Sequence, residues 1–319
     1  MQASLRTVSV HVVTYNSGDH IEDCLEAILN QSHPIDQIIV IDNDSKDDTC
    51  EKLLKWQDRC TIIRNVRNNG FAGGHNQAIR LTSTEYCLIL NPDVVLEPDY
   101  VSNTIQVMHS NDQLGSATGK LLFKAAPNHI DSAGLTINKA RRAFDRGVNQ
   151  TNNNFSRSEE VFGVSGAAAM YKRKMINDIS INGEFFDEDF FAYKEDVDVA
   201  WRAQLLGWKA VYEPSALAYH ERGWKEGGRG SKPLFVRRLS YINRYKMMVK
   251  NDDFLKMMKH ILPLLVFECS SFLYVLVREP LLLGAWVDLY YKYPELKKKR
   301  NLIHDKRKVA TSEVSKWLK

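Results

Sequence analysis

The stretch Tyr86-Cys87-Leu88-Ile89-Leu90-Asn91-Pro92-Asp93 is an apolar run that stops abruptly at an amide, a proline and a carboxylate. An apolar run of this length closed by a turn signal reads as a buried parallel strand. Ligands of open α/β sheets gather just beyond the carboxyl ends of such strands, so Asp93 stands where a metal or a phosphate-bearing group is met. A strand-end carboxylate also caps helices and shapes turns, and its position alone does not separate these roles.

The sequence on either side repeats the pattern. Residues 8–13 form an expected strand ending at Thr14, Tyr15 and Asn16, and residues 38–41 another ending at Asp42 and Asn43. Residues 61–65 are a third. Ile21, Cys24, Leu25, Ile28 and Leu29 share one face of a helix between the first two, and Leu53 and Leu54 mark the inner face of the next. This alternation predicts an α/β fold with a mostly parallel central sheet flanked by helices. Residues 98–109 are expected to be helical and residues 114–123 to form a further strand.

Asn69, Gly70, Phe71, Gly73 and Asn76 belong to a glycine-rich loop that opens a helix, a place where backbone N–H groups suit an anion or a nucleotide edge. The glycines lack the spacing of a dinucleotide fingerprint, and no Lys-Ser/Thr pair closes a phosphate-binding P-loop. Glu195 and Asp196 open a helix that ends at Gly207. Carboxylates are favoured there by the helix dipole with or without a function. Phe190, Phe191 and Tyr193 make an apolar lip beside them, where a carboxylate could take a proton from a hydroxyl. His220, at the end of a late strand over 216–220, is either a core histidine or a ligand of a metal or a diphosphate.

Together these residues resemble glycosyltransferase family 2 with its GT-A fold, and within it the bacterial rhamnosyltransferase branch. The resemblance covers residues 8–220. It implies nucleotide-sugar contacts at Thr14, Tyr15, Asn16, Asp42, Asn43, Asn69, Gly70, Phe71, Gly73, Asn76, Asn91 and Asp93. The usual Asp-x-Asp metal signature is Asn91-Pro92-Asp93 here, which leaves Asp93 as the main ligand of Mg²⁺ or Mn²⁺, with His220 as a second candidate. By the same resemblance Asp196 is the catalytic base and Glu195 its partner at the acceptor, while Arg202 or His220 meets the acceptor or the diphosphate. The implied reaction is an inverting transfer, with dTDP-rhamnose as the first donor to consider. UDP-galactose, UDP-glucose and UDP-GlcNAc are alternative donors, and a non-catalytic nucleotide-binding scaffold is an alternative function.

The chain then divides at 235/236 into a catalytic domain (1–235) and a helical, apolar and basic region (236–319). Residues 125–160, rich in Asn, Arg and Ser, are expected to be a mobile insertion near the site, and residues 225–232 a basic loop. The apolar runs 261–277 and 281–291 each fall short of the roughly 20 residues of a membrane span. With the basic stretch 297–300 behind them they fit an interfacial anchor, or else a buried hairpin or homodimer interface.

Composition sets the outer bounds. Of 319 residues 44% are hydrophobic and 26% charged, which is globular, and the formal charge is only +4. No basic stripe alternates with aromatics, so nucleic acid is not an expected partner. Five scattered cysteines read as reduced thiols, and residues 1–7 are too short and polar for a signal peptide. These features predict a peripheral protein on the cytoplasmic side of a bacterial membrane, acting on a lipid-linked or polysaccharide acceptor.

Overall fold

The computed structural model describes residues 6–222 and 232–319, so nearly all of the basic stretch 225–232 lies outside the described residues. The N-terminal half follows the expected alternation: β1 (Val8–Thr14), α1 (Ile21–Leu29), β2 (Gln37–Asp42), α2 (Thr49–Leu53), β3 (Thr61–Arg64), α3 (Gly70–Arg80) and β4 (Tyr86–Leu90). These four strands are all parallel, in the order β4-β1-β2-β3. β4 is buried along its whole length because both faces are covered. Tyr86, Leu88 and Leu90 join a core with α1, while Cys87 and Ile89 join the opposite one with α3. Burying an aliphatic side chain of this size contributes about 1.5–3 kcal/mol, so β4 alone anchors the sheet strongly.

The other half corrects the expectation of a mostly parallel sheet. After β5 (Val94–Leu96), α4 (Tyr100–His109) and β6 (Leu114–Phe123), residues 125–160 form β7 (Ala126–Ser132), β8 (Leu135–Ile137) and β9 (Ala143–Asp145), and β10 (Glu159–Val161) begins at their end. The insertion expected there is therefore not wholly irregular: short paired strands run through it, with Ile130, Leu135 and Ile137 buried in the core. Then come β11 (Ala168–Lys172), α5 (Arg173–Ile179), α6 (Glu195–Leu205) and β12 (Lys209–His220). β11 inserts antiparallel between β4 and β6, and β5, β7 and β10 also pair antiparallel, so the ten-stranded sheet is mixed. A purely alternating pattern hides this because β11 reaches β4 without a parallel crossover helix.

The C-terminal region is α7 (Leu234–Asn251), α8 (Phe254–Lys259), α9 (Ile261–Arg278), α10 (Ala285–Asp305) and α11 (Thr311–Ser315). The expected boundary at 235/236 falls in the first turn of α7, and α7 is tied firmly to the body. Lys250 reaches Asp187 at 2.5 Å and Asp198 at 2.9 Å, and Lys299 of α10 reaches Asp187 at 2.6 Å. A second buried pair joins Arg141 to Asp252 at 2.7 Å. α9 differs: Leu262, Val266, Leu273 and Val277 stand exposed, and Val277 shows 74% of its surface. Among the described residues α9 is the one helix long and apolar enough to cross a membrane, with a mean hydropathy of 1.8.

Candidate active site

The turn Asn91-Pro92-Asp93 reverses the chain out of β4 into β5, with the Val94 amide donating to the Asn91 carbonyl at 3.2 Å. β5 pairs antiparallel with β12, and the register sets Val94 opposite His220. That pairing brings the Asp93 Oδ1 to 3.3 Å from the His220 Nε2. On the other side of the ring, Nδ1 lies 2.7 Å from the Oδ2 of Asp131, which is fully buried in β7. Burial pulls the His220 pKa down, but the hydrogen bonds to Asp131 and Asp93 outweigh it and hold it up at about 9. Arg222 pairs with Asp131 at 2.6 Å and with Asp145 of β9 at 2.5 Å.

The second half of the site is the start of α6. The backbone just before it is unusual: Phe191, Tyr193 and Lys194 have φ of 61°, 71° and 73°. Left-handed φ at bulky residues is strained and persists only where the surroundings enforce it. Here the enforcement is visible. The Nδ2 of Asn243, on α7, donates to the carbonyls of Phe190, Ala192 and Tyr193 at 2.8, 2.9 and 2.9 Å. The Ala72 amide donates to the Phe191 carbonyl at 3.1 Å. Gly70 has φ +74°, and a Cβ there would lie 2.4 Å from the Phe191 carbonyl oxygen. The loop therefore presents Glu195 and Asp196 from a fixed backbone.

Both carboxyl groups are out of their ordinary range. Burial, reinforced by the charge of Asp196, raises Glu195 to about 8, and its Oε2 has no hydrogen-bond partner. Burial also raises Asp196, against the opposing pull of Lys194. Asp196 accepts from the Val197 amide at 2.8 Å and from the Gly166 amide at 3.3 Å. Paired carboxyl groups whose environments resist ionisation are typical of acid–base sites.

A cavity of about 640 Å³ joins the two halves, with Asn91, Asp93, His220, Glu195 and Asp196 in one wall system and Phe71 and Tyr193 contributing apolar surface. The remaining sequence-predicted residues lie elsewhere. Thr14 and Asp42 are register neighbours at the ends of β1 and β2, and the Thr14 Oγ1 and Asp42 Oδ1 are buried without partners. Tyr15 is half exposed beside them. Asn16 accepts from the Lys46 amide at 2.7 Å, and Asn43 donates to the Gly70 carbonyl at 2.9 Å. Asn69 stands at the start of α3 with no side-chain capping bond, its Oδ1 accepting from the Arg67 Nε at 3.2 Å, and Gly73 is buried in the first turns.

Two residues have structural work that the sequence did not suggest. Asn76 clamps the acceptor-side block, donating to the Phe186 carbonyl at 2.7 Å and accepting from the Phe185 and Phe186 amides. Arg202 corrects the expectation of a contact to acceptor or diphosphate. It is 1% exposed, and its guanidinium is taken up by Asp198 and the carbonyls of Ile179 and Phe185.

Sequence reasoning missed Asp131, Asp145, Arg222 and Asn243. The first two sat in the stretch read as an insertion, where Asp131 follows a buried Ile130 at the end of a short strand. Arg222 lies two residues beyond His220, the spacing that keeps a side chain on the same side of an extended chain. Nothing in the sequence around Asn243 points to its three carbonyl partners.

The mixed sheet, with a carboxylate-bearing turn at the end of its parallel half, is the architecture of nucleotide-sugar-binding GT-A proteins. Residues 9–180, more than half of the chain, match the family described as Glycosyl transferase family 2. The chain belongs to glycosyl transferase family 2. Among curated proteins it is similar to the poly-beta-1,6-N-acetyl-D-glucosamine synthase of Staphylococcus epidermidis, 25% identical over 218 residues, covering 66% of this chain and 49% of that protein. The protein of the same name from Staphylococcus aureus (strain MSSA476) is also 25% identical, over 67% of this chain and 50% of its own length. The chain thus spans about half the length of these relatives.

Two solved structures share the fold. GalNAc-T7 with UDP, GalNAc and Mn²⁺ superposes with a TM-score of 0.61 at 14% identity, over 77% of this chain and 49% of its own. The mannosyltransferase PcManGT from Pyrobaculum calidifontis, in complex with GDP-Man and Mn²⁺, gives 0.53 at 16% identity, over 94% and 86%.

Proposed function

We propose that this chain is an inverting glycosyltransferase that moves a sugar from a nucleotide-sugar donor to a hydroxyl of a lipid-linked or polysaccharide acceptor. The observation that carries this reading is the single cavity shared by Asp93 and His220 on one side and Glu195 and Asp196 on the other. Asp196 removes the acceptor proton as the hydroxyl attacks the anomeric carbon from the face opposite the leaving nucleoside diphosphate, so one displacement inverts the configuration. Glu195, with a pKa of about 8, carries a proton at neutral pH and orients the acceptor by donating to it. The nucleoside is received at the carboxyl ends of β1 and β2, where the half-exposed Tyr15 follows Thr14 and lies beside Asp42.

The residues present fit a divalent cation. A carboxylate oxygen of Asp93 and the Nε2 of His220 converge, with Asp131 holding the other ring nitrogen as second-sphere carboxylates do for metal-binding histidines. The proton that the two aspartates hold on the ring would be displaced by a cation bound there. Two protein ligands would leave the remaining positions of such a cation to substrate phosphates and water. When bound, Mn²⁺ or Mg²⁺ neutralises charge on the departing diphosphate. Of the donors considered, UDP-GlcNAc is favoured over dTDP-rhamnose, because the relatives at 25% identity are named as N-acetylglucosamine polymer synthases. The exposed face of α9 favours attachment to the cytoplasmic face of a bacterial membrane.

Calorimetry with UDP-GlcNAc, UDP-galactose, UDP-glucose and dTDP-rhamnose, each with and without Mn²⁺ or Mg²⁺, tests the reading. The expected result is cation-dependent binding of one donor, UDP-GlcNAc first, that Asp93→Asn weakens by at least about tenfold, the loss of one charged contact. Binding of none of them, or binding indifferent to Asp93→Asn, contradicts it.

A further inference from the structure

Beside the main cavity lies a second one of about 410 Å³, and the two share Ala143, Phe144, Lys194 and Ser240 in their walls. The second cavity has a distinct chemistry. Arg142, Lys194 and Arg244 line it, and no carboxylate does. The guanidinium carbon of Arg142 lies over two rings, 4.7 Å from the centroid of Phe144 and 4.9 Å from that of Phe267. An arginine held by ring contacts has N–H groups that can still meet a planar or tetrahedral anion. None of the described ion pairs involves Arg142 or Lys194, whereas Arg244 is paired with Glu268 at 2.7 Å. Arg142 is thus a cation with no carboxylate partner among the described residues, while Lys194 donates to the Ala143 carbonyl at 3.5 Å and its charge is felt by Glu195 and Asp196.

The opposite wall is α9. Phe267, Ser270, Ser271 and Tyr274 face the cavity, and their spacing places them on one stripe of the helix. Leu262, Leu265, Val266, Leu273, Leu276 and Val277 lie off that stripe and stand exposed. A cationic, hydroxyl-lined cavity and an uncovered apolar helix face thus belong to the same element. The wall the two cavities share includes Lys194, the residue directly before Glu195 and Asp196.

We propose that the second cavity binds the diphosphate head of a lipid-linked acceptor, with the hydrocarbon tail following the exposed face of α9. The proposal rests on the glycosyltransferase reading and names the acceptor class for it. The diphosphate lies against the N–H edge of Arg142 and the ammonium of Lys194. The Ser271 hydroxyl completes its donors, since that of Ser270 donates to the Val266 carbonyl at 2.7 Å. The attached sugar extends past Ser240 to bring its hydroxyl to Asp196. Charge complementarity selects an anion, and the continuity of the cavity with α9 selects a lipid as its carrier rather than a free phosphate.

The test uses the full chain and phosphatidylcholine vesicles, either plain or doped with farnesyl diphosphate, in a sedimentation assay. The wild type is expected to prefer doped vesicles, and Arg142→Gln, at an exposed position, to weaken that preference about tenfold, as for the loss of one charge-assisted contact. Asp93→Asn should leave it intact, which separates this site from the donor site. Equal binding to plain and doped vesicles overturns the proposal, as does a preference that Arg142→Gln does not change. Full displacement by equimolar inorganic diphosphate also overturns it, since the ligand is then a soluble phosphate. If no nucleotide sugar binds but the Arg142-dependent preference persists, the transferase reading fails and the lipid-diphosphate site stands.

Discussion

Two sets of carboxylates flank the strained loop before α6, and they sit in opposite electrical surroundings. Asp187, Asp189 and Asp198 are buried or nearly so, yet their pKa values are lowered. Burial alone would raise them, but Lys250 and Lys299 hold Asp187 well below the ordinary range, Lys292 and Lys299 lower Asp189, and Lys250 with Arg202 lowers Asp198. Glu195 and Asp196, only a few residues away, have raised values, and the Glu195 Oε2 has no partner. The first set fastens α7 and α10 to the body; the second faces the cavity and is left free to exchange a proton. Equal residue types at neighbouring positions thus divide into structure and chemistry according to where the C-terminal lysines reach.

The comparison is broken most severely by removing a lysine. Lys250→Met leaves Asp187 and Asp198 short of a counter-charge in the interior. Breaking one partner of a buried pair costs about 3–5 kcal/mol, so chemical denaturation should show a loss of that order, accompanied by a weaker hold on α7. An unchanged midpoint would mean that the seam does not hold the helices.

A smaller effect is expected from Asn243→Leu, which removes the donor that three loop carbonyls share. Orphaning buried acceptors costs about 1–3 kcal/mol. If the clamp positions Glu195 and Asp196, the transfer rate should fall about tenfold while donor affinity stays the same, since a misplaced reacting group costs rate before binding. Equal loss of both would reduce Asn243 to a packing residue.

The smallest effect is a slope. The Glu195 pKa is raised from 4.5 to about 8, so the folded chain keeps a proton that the unfolded chain has lost across that window. Its contribution to stability therefore falls as pH rises from about 4.5 to about 8 and is flat above. Asp187 has the opposite sign: its stabilisation is present above its ordinary 3.8 and is lost as pH falls through the lowered value. Melting temperatures between pH 5 and pH 8 should decline less in Glu195→Gln than in the wild type. Parallel curves would show that the Glu195 proton is not held by the fold.

The same division explains what was legible in the sequence. The parallel half, β1 to β4, was readable because each strand is a short apolar run closed by a polar turn, and Asp42, Asn91 and Asp93 fall at those closures. Glu195-Asp196 stood out beside its aromatic lip. The antiparallel strand β11 was hidden because its five buried residues, Ala168–Lys172, carry no sign of strand direction. Asp131 was hidden because its partner is a histidine 89 positions away. Arg202 and Asn76 looked functional by resemblance, yet their bonds go to backbone and to a buried aspartate. Pairings across such distances are set by tertiary packing, which local periodicity does not record.

Single-turnover transfer by Asp196→Asn, with donor affinity measured on the same preparation, tests the central claim most directly. Loss of a positioned general base predicts a rate lower by about 10²–10⁴ with donor affinity unchanged. Near-normal transfer by that variant would contradict the assignment of Asp196 as the base.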